Sequence, residues 1–184
     1  MSRGFDAVIV GAGFAGASTA YHLTRRGLRN VLLLEMEQHA GEHASGRNAS
    51  LAFQQLSNGD EARLALEGRR FLCDPPEDFA ERRLLRSCGS LLLAGEDSAV
   101  DLRRTAHEAE GLGVASQVFD RAEAIRRVPL LAESEFAEAC WTPSDGVVDI
   151  RALLRSYIDG AARAGASIRY DAKITGVETA AGRI

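Results

Sequence analysis

Three features that identify common classes of protein are missing from this sequence. No apolar run approaches the roughly 20 residues needed to cross a bilayer, so we predict no integral membrane segment. A net charge of -4 over 184 residues provides no basic surface of the kind that attracts phosphates, so we expect no nucleic-acid partner. Cysteine and histidine do not occur together at metal-ligand spacing, so we predict no metal site.

Cysteine itself is scarce. Cys73, Cys88 and Cys140 are far apart, which fits buried free thiols in a reducing compartment better than a disulfide framework. The N-terminal stretch MSRGFDAVIVGAG contains an acidic residue, Asp6, and glycines interrupt its apolar run, so it is a poor secretory signal. We therefore expect a cytoplasmic protein.

What the chain does contain is a strand–turn–helix pattern at its start. Residues 5–10 are apolar and predict a buried strand. Residues 15–26 have helical spacing and stop at Gly27, a common C-terminal residue of helices. NVLLL, residues 30–34, predicts a second buried strand that ends at Glu35. The first 35 residues thus predict a βαβ unit.

A glycine turn joins the first strand to the helix. Gly11, Gly13 and Gly16 form the pattern G-x-G-x-x-G, and Glu35 follows about 20 residues later. Gly11 permits a tight turn, Gly13 lets the backbone approach a pyrophosphate, and Gly16 lets the helix pack closely on the strand. Glu35 can accept hydrogen bonds from a ribose diol and would repel a 2′-phosphate. A plain glycine turn in a βαβ core is the alternative.

The remaining chain alternates between helices and strands. A polar stretch of small residues, 38–58, predicts a functional loop. Further helices are expected at residues 60–72, 99–111 and 151–163, with a short helix capped by Asp120 and closed by Pro129; Asp149 caps the last one. Strands are expected at residues 90–94, 117–119, 136–142, 167–170 and 174–178, with a turn-rich corner at 142–149. Gly182 predicts a turn into another strand, so we expect the chain to be part of a longer protein.

Three blocks together resemble one family. VIVGAGFAGASTAYHLTRRG, VLLLEME and HASGRNAS resemble the N-terminus of the FAD-dependent D-amino-acid oxidase superfamily, and TPSDGVVDIRALLRSYIDGAARAGASIRYDAKITGVE resembles its second signature. FLCDPPEDFAERRLL looks most like the D-arginine dehydrogenase type. The resemblance implies an α/β fold: a Rossmann-like FAD-binding domain with an interleaved α+β substrate domain, the C-terminal half being absent. The expected segments are 1–57 and 137–184 for FAD and 58–136 for the substrate domain.

The resemblance also implies which residues hold FAD. Glu35 would bind the ribose with Met36 beside the adenine, and the backbone of Ile174 would meet the adenine edge. The pyrophosphate would lie on Gly11, Gly13, Ala15 and Gly16. The loop from the phosphates to the flavin ring would be Ala44, Ser45, Gly46, Arg47, Asn48, Ala49, Ser50 and Leu51. His43 would be either a covalent flavin attachment or, as we favour, a loop histidine near the phosphates.

The implied reaction is hydride transfer from the α-carbon of a D-amino acid or related amine to flavin, followed by hydrolysis of the imine to a keto acid. No carboxylate stands near Gly89 or Ser90 in the sequence, which argues against a basic substrate. The catalytic residues would lie beyond Ile184, and the electron acceptor stays open between oxygen, quinone and another protein. Alternatives are a same-fold enzyme acting on glycine, sarcosine, a 2-hydroxy acid or glycerol phosphate, or a non-catalytic fragment or subunit. The HASGRNAS loop argues against an NAD-binding protein.

Overall fold

The computed structural model describes residues 4–56 and 59–179, and the chain divides into two compact units. The first unit combines Met1–Ala49, Pro76–Arg82 and Asp149–Ile184, and the second combines Ser50–Pro75 and Arg83–Val148. These boundaries differ from the expected ones at 57/58 and 136/137, and Asn58 lies outside the described residues. Which unit serves the cofactor and which the substrate stays a prediction.

The helices and strands alternate along the chain. The α-helices are α1 (Phe14–Arg25), α2 (Gly59–Cys73), α3 (Ala99–Gly111), α4 (Arg121–Arg127) and α5 (Ile150–Arg163). The strands are β1 (Ala7–Val10), β2 (Val31–Leu34), β3 (Leu51–Ala52), β4 (Leu85–Ser87), β5 (Ser90–Ala94), β6 (Gln117–Asp120), β7 (Glu138–Thr142), β8 (Gly146–Val148) and β9 (Ser167–Arg169). Short 3-10 helices occur at Ala44–Gly46, Glu96–Ser98 and Pro129–Glu133.

The first unit is built on a parallel sheet in the order β1-β2-β9. Helix α1 connects β1 to β2, and α5 leads into β9, so the predicted βαβ unit is confirmed. Val31 and Leu33 of the central strand are fully buried. Helix α1 packs on α5, where Gly160 makes room for an aromatic ring: a Cβ at Gly160 would lie 2.7 Å from Cδ2 of Tyr21.

Both predicted aspartate caps are confirmed. The Asp149 carboxylate accepts a hydrogen bond from Ala152 N at 2.9 Å at the start of α5. The Asp120 carboxylate accepts one from Glu123 N at 2.8 Å at the start of α4. Such caps stabilise a helix by about 1 kcal/mol because they satisfy an amide that has no partner within the helix.

Two predictions of burial were wrong. Strand β1 was expected to be buried, but Val8 and Val10 are 51% and 65% exposed, because β1 is an edge strand of the sheet and one of its faces is uncovered among the described residues. All three cysteines are free, yet only Cys140 is buried; Cys73 and Cys88 are exposed.

The segment after β9 also differs from the expectation. A strand was predicted at residues 174–178, but the structure has none there. Asp171 N donates instead to Glu37 O at 3.2 Å and Ala172 N to Glu35 O at 2.8 Å. A strand needs a neighbouring strand to pair with. Residues 174–178 follow backbone at residues 171 and 172 that is bonded to the turn after β2. The turn predicted at Gly182 lies outside the described residues.

The second unit contains two antiparallel sheets. One has the order β3-β8-β4 and the other β5-β7-β6. Helix α3 and the second sheet share a small core of Ala94, Leu102, Ala106 and Cys140. The short strands β4 and β8 were missed in the sequence, because each has three residues and β8 lies in a stretch of turn-forming residues.

A buried carboxylate joins three segments of the second unit. Asp145 has no exposed surface. Its Oδ1 accepts from Gln54 N at 3.1 Å and from Gln54 Nε2 at 2.8 Å, and its Oδ2 accepts from Ser90 Oγ at 2.6 Å. A carboxylate therefore does lie at Ser90, contrary to the sequence-based expectation, because the fold brings it from 55 positions away. Hydrogen bonds of this kind make the burial of a charged group tolerable.

We predict that Asp145→Asn lowers the free energy of unfolding by about 2 kcal/mol, the scale of a lost hydrogen bond to a buried charged group. The new NH₂ group can only donate, so one of the three donors around residue 145 loses its acceptor. Urea denaturation followed by circular dichroism measures the change. Asp97→Asn, at an exposed aspartate, is the matched control, and equal stability of the two variants would contradict the prediction.

Candidate functional site

The glycine turn has the geometry that its spacing predicts. Gly11 has a φ of 95°, a left-handed conformation that favours glycine, and its N–H donates to Leu34 O at 2.7 Å. A Cβ at Gly16 would lie 1.8 Å from Gly11 O and 3.2 Å from Cγ2 of Ile9. The turn is therefore closed tightly between β1, β2 and the first turn of α1.

A loop serine lies over the N-terminus of α1. Ser45 Oγ accepts a hydrogen bond from Phe14 N at 3.0 Å. A Cβ at Gly13 would lie 2.8 Å from this hydroxyl oxygen, so a side chain at position 13 would displace the loop. The first-turn amides of a helix carry a partial positive charge and attract anions. Ser45 thus brings a hydroxyl to the place where this charge is concentrated.

Glu35 is the buried acid of the site. Only 7% of the residue is exposed. Its Oε2 accepts from Ala12 N at 2.7 Å, and its Oε1 accepts from Glu37 N at 3.0 Å. An ionised carboxylate offers about four acceptor positions, so two backbone amides orient this group without saturating it. The remaining lone pairs suit hydroxyl donors such as a ribose diol.

A cavity of about 370 Å³ collects many of the predicted residues within the first unit. The predicted residues that line it are Gly11, Gly13, Glu35, Met36, Ala44, Ser45 and Ile174. His43, which the sequence analysis placed near the phosphates, lines it too. Residues to which the sequence analysis gave no role at the cofactor also line it: Val10, Gly41, Glu42, Ala172 and Lys173. Ala15 and Gly16, also predicted, lie in the first turn of α1 and do not line this cavity. That these residues hold a cofactor stays a prediction.

The other predicted loop residues lie elsewhere. Gly46 and Arg47 line a larger cavity of the first unit, described below. Asn48 is exposed, and its Nδ2 donates to Ser45 O at 2.8 Å, which closes the loop on itself. Ala49 is the last residue of this part of the first unit.

Ser50 and Leu51 belong to the second unit. Leu51 pairs with Val147 in the first antiparallel sheet, and Ser50 O accepts from Val148 N at 2.7 Å. The predicted loop from the phosphates to the flavin ring is therefore divided between the two units.

Three of the lining residues that sequence reasoning missed belong to two backbone features. Gly41 has a φ of 78°, and a Cβ there would lie 2.4 Å from Cδ2 of Leu154 on α5. The sequence did contain a signal for this position, because a glycine within a polar loop indicates a possible positive φ or a close packing contact. Ala172 and Lys173 lie at the cavity because Ala172 N bonds to Glu35 O. The sequence analysis missed them because it treated them as a connection before the strand expected at residues 174–178.

Two further ionisable side chains, His43 and Tyr170, lie near Glu35 or its neighbour Glu37. His43 Nε2 lies 2.9 Å from Glu37 Oε1 while 60% of its side chain is exposed, so the histidine is engaged at the surface of the loop. Burial raises the pKa of the Tyr170 phenol, and the charges of Asp159 and Glu35 raise this pKa further. Tyr170 therefore stays a neutral hydroxyl at neutral pH.

Residues 4–56 and 59–179 contain neither a metal-binding cluster nor a membrane-spanning helix. Within those ranges no cluster of three or more His, Cys, Asp or Glu side chains has the arrangement of a metal site. In the same part of the chain, no helix combines the length and the apolar character that crossing a membrane requires.

Comparison with known proteins gives a consistent result. A family model with the description "FAD dependent oxidoreductase" (DAO) matches residues 6–184. Glycine oxidase from Geobacillus kaustophilus is 28% identical over 174 residues, which are 91% of this chain and 46% of the relative. The crystal structure of that enzyme matches with a TM-score of 0.75 and 30% identity, over 91% of this chain and 46% of the other.

Of two other relatives, one is named as an enzyme and the other as a regulatory subunit. Human mitochondrial dimethylglycine dehydrogenase is 28% identical over 177 residues, which are 94% of this chain and 20% of the relative. The mouse mitochondrial pyruvate dehydrogenase phosphatase regulatory subunit is 24% identical over 188 residues, 96% of this chain and 21% of the relative. The chain thus spans less than half the length of each of these relatives.

We predict that Glu35→Gln weakens the binding of FAD by tenfold or more. A glutamine offers one acceptor oxygen to the two amides of Ala12 and Glu37, so the turn would be distorted and the acceptor for a ribose diol lost. Quenching of flavin fluorescence on titration with the full-length protein measures the dissociation constant. Glu67→Gln, at an exposed position of α2, is the control, and an unchanged dissociation constant for Glu35→Gln would refute the assignment.

Proposed function

The chain belongs to the DAO family of FAD-dependent oxidoreductases, and from that premise we propose that it supplies the cofactor-holding part of an enzyme that oxidises the carbon–nitrogen bond of an amino acid. The names of two relatives, glycine oxidase and dimethylglycine dehydrogenase, support an amino-acid substrate. Since the chain spans less than half of each relative, the proposal concerns the activity of the whole protein.

The observation that carries the proposal is the buried Glu35 carboxylate at the carboxyl end of β2. Amides of Ala12 and Glu37 orient it from two sides, beside the N-terminus of α1. In this arrangement Glu35 would accept the ribose hydroxyls of an adenosine, and the Ser45 hydroxyl and first-turn amides would take the pyrophosphate. A Cβ at Gly11 would meet nothing within 4 Å, so the backbone is open there to such a group, and the absent Cβ of Gly13 leaves room for the Ser45 hydroxyl.

The chemistry is divided between protein and cofactor. When bound, FAD supplies a two-electron acceptor for a hydride that leaves the substrate α-carbon, and the imine product hydrolyses to a keto acid with release of ammonia or amine. The residues of the first unit bind and orient the adenosine diphosphate part. We assign no catalytic residue among the described positions.

The finer proposal is that the substrate is a D-amino acid with a neutral side chain. The carboxylate of Asp145, which accepts a hydrogen bond from Ser90, has no exposed surface and is also engaged by Gln54. Because no part of this carboxylate is exposed, a cationic side chain does not reach it, which argues against an arginine substrate. Glycine and its N-methylated forms, as well as 2-hydroxy acids and glycerol phosphate, are the alternatives of the same fold.

A second candidate function belongs to another class. The similarity to a phosphatase regulatory subunit supports a protein that keeps the cofactor fold but serves in regulation rather than in catalysis. Such a protein would bind FAD, or retain only the fold, without being reduced by any amine. Binding and reduction of flavin therefore distinguish the two candidates.

We predict that the full-length protein carries flavin absorbance bands and that an amino acid bleaches them under anaerobic conditions. The panel contains D-alanine with L-alanine as its matched control, glycine, sarcosine, dimethylglycine, a 2-hydroxy acid and glycerol phosphate. Bleaching by D-alanine alone supports the finer proposal, and bleaching by glycine derivatives favours the alternative. A bound flavin that none of these reduces would favour the regulatory candidate, whereas a colourless protein that takes up no FAD would refute the cofactor.

We also predict that acid precipitation releases all of the flavin into the supernatant. The imidazole of His43 is engaged by Glu37 at 2.9 Å, so we expect this ring not to be joined covalently to the flavin. Absorbance of the supernatant and of the redissolved pellet measures the partition. Flavin that stays in the pellet of the wild type, and is released into the supernatant from His43→Asn, would show that His43 is joined covalently to the flavin.

A further inference from the structure

A second and larger cavity lies in the first unit. It has a volume of about 760 Å³ and is bounded by the loop at residues 39–47, by one face of α5 and by Tyr170. It shares Gly41, Glu42 and Ser45 with the cavity around Glu35, but neither Glu35 nor the glycine turn lines it. Ser45, Gly46 and Arg47, which the sequence analysis assigned to the loop between the phosphates and the flavin ring, also line it. The predicted cofactor site therefore adjoins this cavity at the loop but does not account for the part that runs along α5.

The floor of this cavity is apolar. Ile150, Leu154 and Ile158 occur at intervals of four residues along α5 and form one stripe of the helix. Leu154 is buried beneath Gly41, while the two isoleucines are partly exposed. A stripe of this kind provides an apolar surface for the body of a small molecule.

The rim of the cavity is positively charged. Arg155 is engaged by Asp159 at 3.3 Å, and the Glu42 carboxylate lies 3.2 Å from Nδ1 of His39, a side chain that carries charge only when it is protonated. Arg47 and Arg151 also line the cavity, and neither guanidinium has an ion-pair or hydrogen-bond partner among residues 4–56 and 59–179. Two arginines without such a partner thus line the cavity beside its apolar floor, and they outnumber the single lining carboxylate that lacks an arginine partner, that of Glu42.

A neutral hydroxyl adds a third polar group. Tyr170 lines the cavity, and its phenol stays protonated because burial and two nearby carboxylates raise its pKa. It can donate a hydrogen bond to an anion held by the arginines. The polar groups of the cavity are therefore suited to a ligand that accepts hydrogen bonds at one end.

We propose that this cavity binds a small carboxylate with an apolar body. Its volume lies within the roughly 300–1,000 Å³ of small-molecule sites, which are mostly apolar with a few convergent polar groups. Guanidinium groups bind carboxylates through two parallel hydrogen bonds, which makes Arg47 and Arg151 suitable anchors. The inference does not rest on the proposed reaction, since Arg151, Tyr170 and the apolar stripe of α5 are not among the residues predicted to hold FAD.

The test uses the full-length protein saturated with FAD and a matched pair of probes. 2-Naphthoate carries a carboxylate on an apolar ring system, and 2-naphthamide is its uncharged analogue. Isothermal titration calorimetry should show one naphthoate per chain, bound at least tenfold more tightly than the amide, because a charged hydrogen bond would be lost with the amide. Failure of naphthoate to bind would overturn the proposal.

Variants locate the bound probe. Arg151→Gln should weaken naphthoate about tenfold, while Arg86→Gln, at an exposed arginine outside the cavity, should leave the affinity unchanged. Ile158→Glu places a carboxylate on the cavity floor and should abolish binding. Naphthoate that binds equally well to the wild type, Arg151→Gln and Ile158→Glu, and that perturbs the flavin spectrum, would lie in the substrate site instead and would also overturn the proposal.

Discussion

The site in the first unit depends on one interaction: two backbone amides donate hydrogen bonds to the carboxylate of Glu35. Ala12 belongs to the turn after β1 and Glu37 to the turn after β2, so one side chain joins the carboxyl ends of two neighbouring parallel strands. The next strand is tied to the same place, because Ala172 N and Asp171 N bond to the backbone of residues 35 and 37. Ligands of open α/β sheets bind at this edge, so the stabilising interaction and the candidate site coincide.

The local parts of this arrangement could be predicted from the sequence. The positive φ of Gly11 and the close approach at Gly16 are requirements that only glycine meets readily, so the spacing of glycines reveals the turn. The two aspartate caps are equally local, since Asp120 and Asp149 bond to amides three residues ahead. In each case the residue type and its partner lie within a short stretch of chain.

The parts that could not be predicted depend on contacts between distant positions. Asp145 meets Gln54 from 91 positions away and Ser90 from 55, and no local pattern marks it as a buried carboxylate. Strand β8 exists because β3 and β4 pair with its two edges. The stretch at residues 174–178 shows the opposite case, since its composition favours a strand but its backbone follows a segment bonded to residues 35 and 37.

Contacts between distant positions also divide the loop at residues 44–51, which was predicted to run from the phosphates to the flavin ring. Residues 44–49 belong to the unit that contains Glu35, whereas Ser50 and Leu51 belong to the other unit, where Leu51 pairs with β8.

The central claim is that the edge of the sheet around Glu35 holds FAD. Its most direct test is hydrogen–deuterium exchange of the full-length protein, measured with and without added FAD. The account predicts slower exchange in peptides that cover residues 9–17 and 33–45. Unchanged exchange in both peptides, with flavin bound, would contradict it.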